Sequence, residues 1–338
     1  MAQETNGRNS AVAFARIAAM LLIMICHTYN KWIIGTLTTV GISVFLLISG
    51  YLYGTRDISD PFTFLKKRYM TITFPAVVFV LAMAVYYWFH ARNDLIIPMV
   101  ILFIFNLQGM NKLFSRIPSI EMGPGVLHLW FLTALMACYL LMIGVKKIEK
   151  KHPVSRRTCR IMLIVSTLIA FLGGLPEYKI RFNLIQIFFF GYWYAQQKTE
   201  MTLKKLVAWV MMMLTTAVPM WILLKKMPDS GLYIGAGYIW RNLLGICIFF
   251  FFLYLQQRFP QTMDGLGNNR VVFHIDRLSY YIFIVHYIFS SGPFCVFTLP
   301  VAFPLQMLIF AAVTLLCAEI LMALCKPVIR MVTQKKTA

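Results

Sequence analysis

The sequence predicts an all-α fold, a polytopic membrane helix bundle of about ten transmembrane helices plus one re-entrant or half helix. Three observations carry this. Hydrophobic residues make up 60% of the 338 residues and charged residues only 13%, about half the charge of a soluble globule. The apolar residues fall in runs near the roughly 20 residues that a spanning helix needs. The 32 Lys+Arg stand against 12 Asp+Glu and cluster between those runs, as they do in cytoplasmic loops. This excludes a cytosolic enzyme, a disordered chain and a secreted disulfide scaffold. The net charge of +20 is read as loop charge and not as a nucleic-acid surface, because no stacking aromatics interleave with the basic residues on a polar face. The seven cysteines form no C-x-x-C pair and sit mostly in apolar runs, as small hydrophobes.

Taken in order, the apolar segments fall near 11–30, 34–54, 70–91, 95–108, 127–147, 160–175, 182–197, 205–224, 238–257, 278–298 and 302–325. The first has no small-x-small cleavage site and is kept as a helix. Arg56, Lys66, Lys67 and Arg68 precede the third segment. Lys146, Lys147, Lys150, Lys151, Arg156, Arg157 and Arg160 follow the fifth. Both clusters are expected to be cytoplasmic, yet three segments lie between them, and an odd number cannot return the chain to one side. The segment 95–108 is short, contains Pro98 and ends in Asn106-Leu107-Gln108-Gly109, so it is read as a half helix on the outer side. Lys198, Lys204, Lys205, Arg258, Arg270, Arg277, Lys326, Arg330, Lys335 and Lys336 then fall inside. With Arg8 and Arg16, this places 23 of the 32 basic residues in the cytoplasm. The expected layout is a cytoplasmic tail over 1–10, a membrane domain over 11–325 and a basic cytoplasmic tail over 326–338. The protein is expected in the plasma membrane, with both termini cytoplasmic.

Polar groups inside spans cost free energy and usually face the bundle interior, so they mark candidate sites. Arg16 and His27 lie 11 residues apart in the first span, which brings them to one helix face about 16 Å apart along the axis. Ser49-Gly50-Tyr51 closes the second span, where the small pair permits close helix contact. Lys67 and Arg68 stand just before the third, which contains Pro75. Their charge suits a phosphorylated cofactor or anionic lipid heads. Gly123-Pro124-Gly125 turns the chain into His128-Leu129-Trp130-Phe131 at the start of the fifth span. His286 ends Ser279-Tyr280-Tyr281-Ile282-Phe283-Ile284-Val285-His286 in the tenth, where it is expected to stay neutral and hydrogen-bonded. Glu319, in the last span, is read as a structural partner for a basic group. No H-E-x-x-H zinc site, G-x-S-x-G nucleophile or Walker A loop is present. What remains is a histidine-centred site in a membrane bundle, with no metal expected.

In this order, the Arg16-ten-residue-His27 pair, Ser49-Gly50-Tyr51, Lys67-Arg68 before Pro75, His128-Leu129-Trp130-Phe131 and the serine-tyrosine-histidine run to His286 resemble the acyltransferase-3 family of integral membrane acyltransferases. The resemblance covers about residues 10–325, in the stand-alone form without an attached extracellular hydrolase-like domain. Some relatives carry a Ser/Glu-rich motif near the fifth span, where this sequence reads His128-Leu129-Trp130-Phe131-Leu132. The resemblance implies transfer of an acyl group, usually acetyl, from cytoplasmic acetyl-CoA to a hydroxyl of a cell-surface polysaccharide or lipid-linked glycan. Arg16, Lys67 and Arg68 would meet the polyanionic donor. His27 would act as base or as transient acyl carrier, Arg16 and His128 are counted with it in the catalytic group, and His128 and Trp130 would help seat the sugar. Trp130, with Ser49, Tyr51 and His286, would line or orient the acceptor. Expected partners are the acyl-CoA, the glycan and membrane lipids, and no nucleic acid. A flippase for a lipid-linked glycan shares the many spans and buried charges, although no internal repeat of the kind common in transporters is seen. A sensor module would need an effector domain that no loop is long enough to hold.

Overall fold

A computed structural model describes residues 9–28, 39–90, 92–110, 125–151, 156–172, 182–227 and 230–333, with the backbone alone for 110, 156–160, 172 and 224. Among these residues there is no strand, and every one of the eleven apolar segments is helical. The helices are α1 (Ser10–Thr28), α2 (Gly41–Gly54), α3 (Pro61–Arg68), α4 (Phe74–Phe89), α5 (Asn93–Ile104), α6 (Phe131–Lys151), α7 (Arg156–Leu172), α8 (Phe182–Gln196), α9 (Leu203–Lys226), α10 (Gly231–Arg258), α11 (Pro260–Gly267), α12 (Arg270–Ser290) and α13 (Phe303–Thr333). Among the described residues, six stretches are long and apolar enough to cross a membrane, including Ser10–Thr28, Pro61–Phe89 and Phe303–Thr333. The protein is a polytopic membrane helix bundle.

Boundaries differ from the expected ones where caps intervene. The tenth span, expected at 278–298, is a helix over Arg270–Ser290. Asn269 starts it early, its side chain accepting from Val271 N at 2.9 Å. Tyr287 O accepts from the amides of both Ser291 and Gly292, and Pro293 cannot continue the helix. Ser230 caps α10 by accepting from Tyr233 N at 3.2 Å, which extends it upstream of the expected 238. The basic stretch between the ninth and tenth spans contains α11, opened by Pro260 at its first turn. Lys326 and Arg330, expected in a tail, lie on α13. Arg8, Gly123, Pro124, Lys335 and Lys336 lie outside the described residues.

The chain divides into two compact units. The first comprises Met1–Cys26, Lys31–Asp57 and Gly144–Arg277. Its tightest contact is α2 on α8, and glycines make it possible. A Cβ on Gly50 would stand 1.9 Å from Phe188 O, and one on Gly191 would stand 2.2 Å from Leu47 O. With no hydrophobic force between helices in lipid, such backbone approach drives association through dispersion contacts. A buried polar chain ties four helices. Ser43 Oγ donates to Asn242 Oδ1 (2.8 Å). Asn242 Nδ2 donates to Gln186 Oε1 (2.6 Å) and Asn183 O (2.8 Å), and Gln186 Nε2 donates to Thr167 Oγ1 (3.1 Å). Each such bond is worth about 0.6 kcal/mol in a bilayer. By contrast, only 6% of the apolar window of α9 is buried; it packs on α10 and leaves the rest for lipid.

The second unit comprises His27–Asn30, Ile58–Ile143 and Leu278–Ala338. Asp60 caps α3, accepting from Phe62 N at 3.0 Å, with Pro61 at the first helical position. A π-turn, Tyr69–Thr73, joins α3 to α4 and places Pro75 in the first turn of α4, where its missing N–H costs least. Tyr280 OH donates to Ile72 O in that turn. The half helix α5 has 12 residues, about 18 Å, well short of the ~30 Å hydrocarbon core. It ends at Asn106, whose φ of 55° suits asparagine. Leu107 N reaches back to Leu102 O and Asn106 N to Phe103 O, the paired bonds of a Schellman close.

Candidate active site

The site begins with the turn that presents His128. Gly125 has φ +101°, a conformation that side chains resist. A Cβ there would press on Ile288 Cγ2 at 3.0 Å and Pro293 Cδ at 3.2 Å. From it the chain enters a short 3₁₀ turn, Leu127–Trp130, and then α6. The end of α5 braces this turn. Gln108 is fully buried and donates to Leu129 O (3.3 Å) and Asn106 Oδ1 (3.1 Å), while Asn106 Nδ2 donates to Leu132 O (3.4 Å). Thr133 Oγ1 donates to Asn106 O and accepts from Gly109 N, both at 2.9 Å. The polar residues that mark the half helix in the sequence are thus the ones that hold the histidine turn.

Three histidines converge within this unit. Ring centroids are 5.3 Å apart for His27 and His286, 5.1 Å for His128 and His286, and 6.3 Å for His27 and His128. Tyr287 stacks on His128 (4.8 Å, 24°) and meets His27 edge-on (4.8 Å, 84°). His128 is 4% exposed and His286 0%, while His27, in the last turn of α1, is half-buried. Ser291 Oγ donates to His27 O at 3.2 Å, satisfying a carbonyl that the end of α1 leaves without an intrahelical partner.

Hydrogen-bond accounting defines what the cluster offers. His128 Nε2 lies 3.0 Å from both Phe283 O and Ile284 O, and His286 Nδ1 lies 2.8 Å from Phe283 O. Carbonyl oxygens only accept, so these nitrogens carry the ring hydrogens. In the neutral rings, His128 Nδ1 and His286 Nε2 are then bare lone pairs. Both are buried without a hydrogen-bond partner among the described residues. Such acceptors each cost about 1–3 kcal/mol, a cost that an entering donor such as a hydroxyl relieves. Among the described residues no group of three or more His, Cys, Asp or Glu side chains is disposed to hold a metal ion.

The remaining predicted residues divide between the units. Trp130 shares the turn of His128 and is half-buried. Lys67 and Arg68 end α3, Lys67 half-buried and Arg68 over the Phe64 ring at 5.7 Å. Arg16 belongs to the first unit, where its Nη1 bonds Asp276 Oδ1 at 2.9 Å, with Asp276 only 7% exposed. Ser49 and Tyr51 also belong there. Ser49 Oγ donates to Phe45 O in its own helix (2.8 Å), and Tyr51 meets Phe249 edge-on at 5.0 Å. Glu319 is half-buried on α13. Two participants were not singled out from sequence. Tyr287 follows His286 directly, and that adjacency was its one signal. Asp276 lies among Arg270 and Arg277, where an acid reads as loop charge.

The acyltransferase domain family Acyl_transf_3 matches residues 9–323, nearly the whole chain. The chain belongs to the acyltransferase-3 family. The match takes in Arg16, His27, Lys67, Arg68, His128 and His286 together. No curated protein and no solved structure gives a match. The protein is a membrane acyltransferase of this family, and a neutral imidazole with a free lone pair can take up a proton, so the three-histidine cluster has the chemistry of a general base.

Proposed function

We propose that the protein is an O-acyltransferase of the plasma membrane. In this reading it moves an acyl group, most simply acetyl, from cytoplasmic acyl-CoA to a hydroxyl of a cell-surface polysaccharide or lipid-linked glycan. The observation that supports this best is the cluster of His27, His128 and His286, with two buried lone-pair nitrogens that no described residue bonds, in a chain of acyltransferase-3 type. His27 is the half-buried member and so the one proposed to meet both substrates.

In the reaction, a lone-pair nitrogen of His27 takes the proton of the acceptor hydroxyl as its oxygen attacks the thioester carbonyl. The carbon–sulfur bond breaks, and the proton passes from the imidazolium to the departing thiolate. The products are the sugar ester and free CoA–SH, and the histidine is restored. A placed base of this kind contributes roughly 10²–10⁴-fold in rate. Lys67 and Arg68 are the cations proposed to meet the donor's phosphates; arginine suits phosphate through its planar fork. Trp130 is proposed to stack on the sugar. Both termini are proposed to be cytoplasmic.

The test is proton NMR of surface glycans from cells lacking the gene, complemented with wild type or with His27→Ala at matched membrane abundance. The expected result is a base-labile acyl signal that returns with wild type alone, and its shifts identify acyl group and sugar. An identical acyl signal in all three strains overturns the reading. A change in total surface glycan with unchanged esters replaces it with a lipid-linked glycan flippase.

A further inference from the structure

The histidines of the cluster are not equivalent, and the inventory of their hydrogens separates them. His128 spends its ring hydrogen on the Phe283 and Ile284 carbonyls, and His286 spends its own on Phe283 O. Neither can donate again while neutral. His27 brings the one remaining ring N–H. The His286 ring is 5.3 Å from His27, whereas the His128 ring is 6.3 Å away and the face of Tyr287 lies against it. At 5.3 Å two imidazoles can join through one N–H···N bond after a small ring tilt. His286 Nε2 is fully buried and lacks a partner. It is the acceptor that such a bond requires.

We propose that His286 is a positioning residue whose Nε2 accepts the N–H of His27. This fixes the His27 tautomer and leaves the other His27 nitrogen as the lone pair that faces the acceptor hydroxyl. The arrangement follows the logic in which a base is oriented by a third group. A neutral imidazole takes the place that a carboxylate holds in the Ser-His-Asp arrangement, which suits a buried site in a membrane protein, where a fixed charge is costly. The backbone of α12 supplies the fixed point: Phe283 O, three residues before His286, holds the ring by Nδ1 and directs Nε2 away. The inference rests on the reading of His27 as the base of acyl transfer.

Two measurements test it on the full-length protein in lipid nanodiscs. The first is ¹⁵N NMR of histidine-labelled wild-type protein without substrate. The expected spectrum has His286 protonated on Nδ1 with a hydrogen-bonded lone pair on Nε2, and His27 as a single tautomer. In His286→Leu, His27 becomes a mixture of both tautomers. A His286 hydrogen on Nε2, or a His27 pattern unchanged in the variant, overturns the proposal. If His286→Leu does not fold, the wild-type spectrum still decides. The second is kinetic. His286→Leu is expected to lower kcat roughly 10²-fold or more with KM for acyl-CoA unchanged, and His286→Gln, which keeps an acceptor, recovers part of the loss. Equal activity of His286→Leu and wild type overturns the positioning role. Wild-type protein that shows the hydrogen-bonded pair but transfers no acyl group leaves the pairing in place and overturns the acyl-transfer reading.

Discussion

Gly125 shows how one residue sets the chemistry of a site that it does not itself touch. Its φ of +101° lets the chain turn directly into the Leu127–Trp130 turn, so His128 can reach the Phe283 and Ile284 carbonyls. Gly125→Ala therefore carries two penalties: a backbone cost of roughly 1–2 kcal/mol for positive φ, and the contact of its Cβ with Ile288 Cγ2 at 3.0 Å. The expected outcome is a lower melting temperature in detergent and a larger loss of acyl transfer than of folded protein. Ile288→Ala should rescue it only in part, because the backbone strain remains; full rescue would show that steric contact alone was responsible. At this scale much of the cluster was legible. A histidine in an apolar run is anomalous wherever it stands, so His27, His128 and His286 each drew notice. Tyr287 did not, because a tyrosine in an apolar helix looks like any core aromatic until its neighbours are known. Asp276 was hidden for the opposite reason, as a charge among other charges, although it is the buried partner of Arg16. Removing it strands a guanidinium bond of the kind worth about 1.5–3 kcal/mol. Asp276→Asn should thus lower thermal stability measurably, and an unchanged melting curve would show that the pair contributes little.

Between helices, the decisive quantity is how closely two backbones can approach. The contact of α2 with α8 depends on positions where even a methyl group has no room. At Gly50 a Cβ would sit 1.9 Å from Phe188 O, while at Gly144 on α6 nothing lies within 4 Å. The two sites make a matched pair. Gly50→Ala must push the helices apart and should cost about 1–3 kcal/mol, as overpacking does. Gly144→Ala should be neutral or stabilising by up to about 1 kcal/mol, because alanine is the better helix former. Thermal unfolding of the two proteins in the same detergent compares them directly, and similar shifts for both would mean that the α2–α8 approach is looser than 1.9 Å implies. The Ser49-Gly50 pair announced this contact in the sequence, since small residues at a span's end are what close packing uses. Element ends were less legible than element existence. Hydropathy marks where a helix may enter lipid, but caps such as Asn269 and Ser230 set where it starts. Hence α10 and α12 begin before their apolar runs, and α11 escaped notice because its eight residues carry no apolar run at all.

For the molecule as a whole, the open physical question is the path of the chain through the bilayer, and α5 is the element on which it turns. Its 12 residues span about 18 Å against a core of ~30 Å, and its last carbonyls are met by protein. Tyr69 OH donates to Ile104 O at 2.6 Å, and Asn106 closes the end. Irregular backbone at membrane depth is tolerated only where protein satisfies it in this way. If α5 enters and leaves on one face, Pro61–Phe89 and Leu127–Lys151 are the two crossings between the basic clusters, and Lys66 and Lys147 share a side. Both clusters then obey the charge rule. A spanning α5 would instead put one of them outside, against the membrane field. Single cysteines introduced at Lys66, Arg92, Lys147 and Lys326 read this out with a membrane-impermeant thiol reagent on intact cells. The six described native cysteines are buried or half-buried, so labelling above the wild-type level reports the new site. Arg92→Cys is expected to label from outside. Lys66→Cys, Lys147→Cys and Lys326→Cys should label only after permeabilisation. Labelling of Lys66→Cys and Lys147→Cys from opposite sides would make α5 a full crossing. The order of every later helix would then reverse, and with it the side from which an acyl donor could approach the histidines.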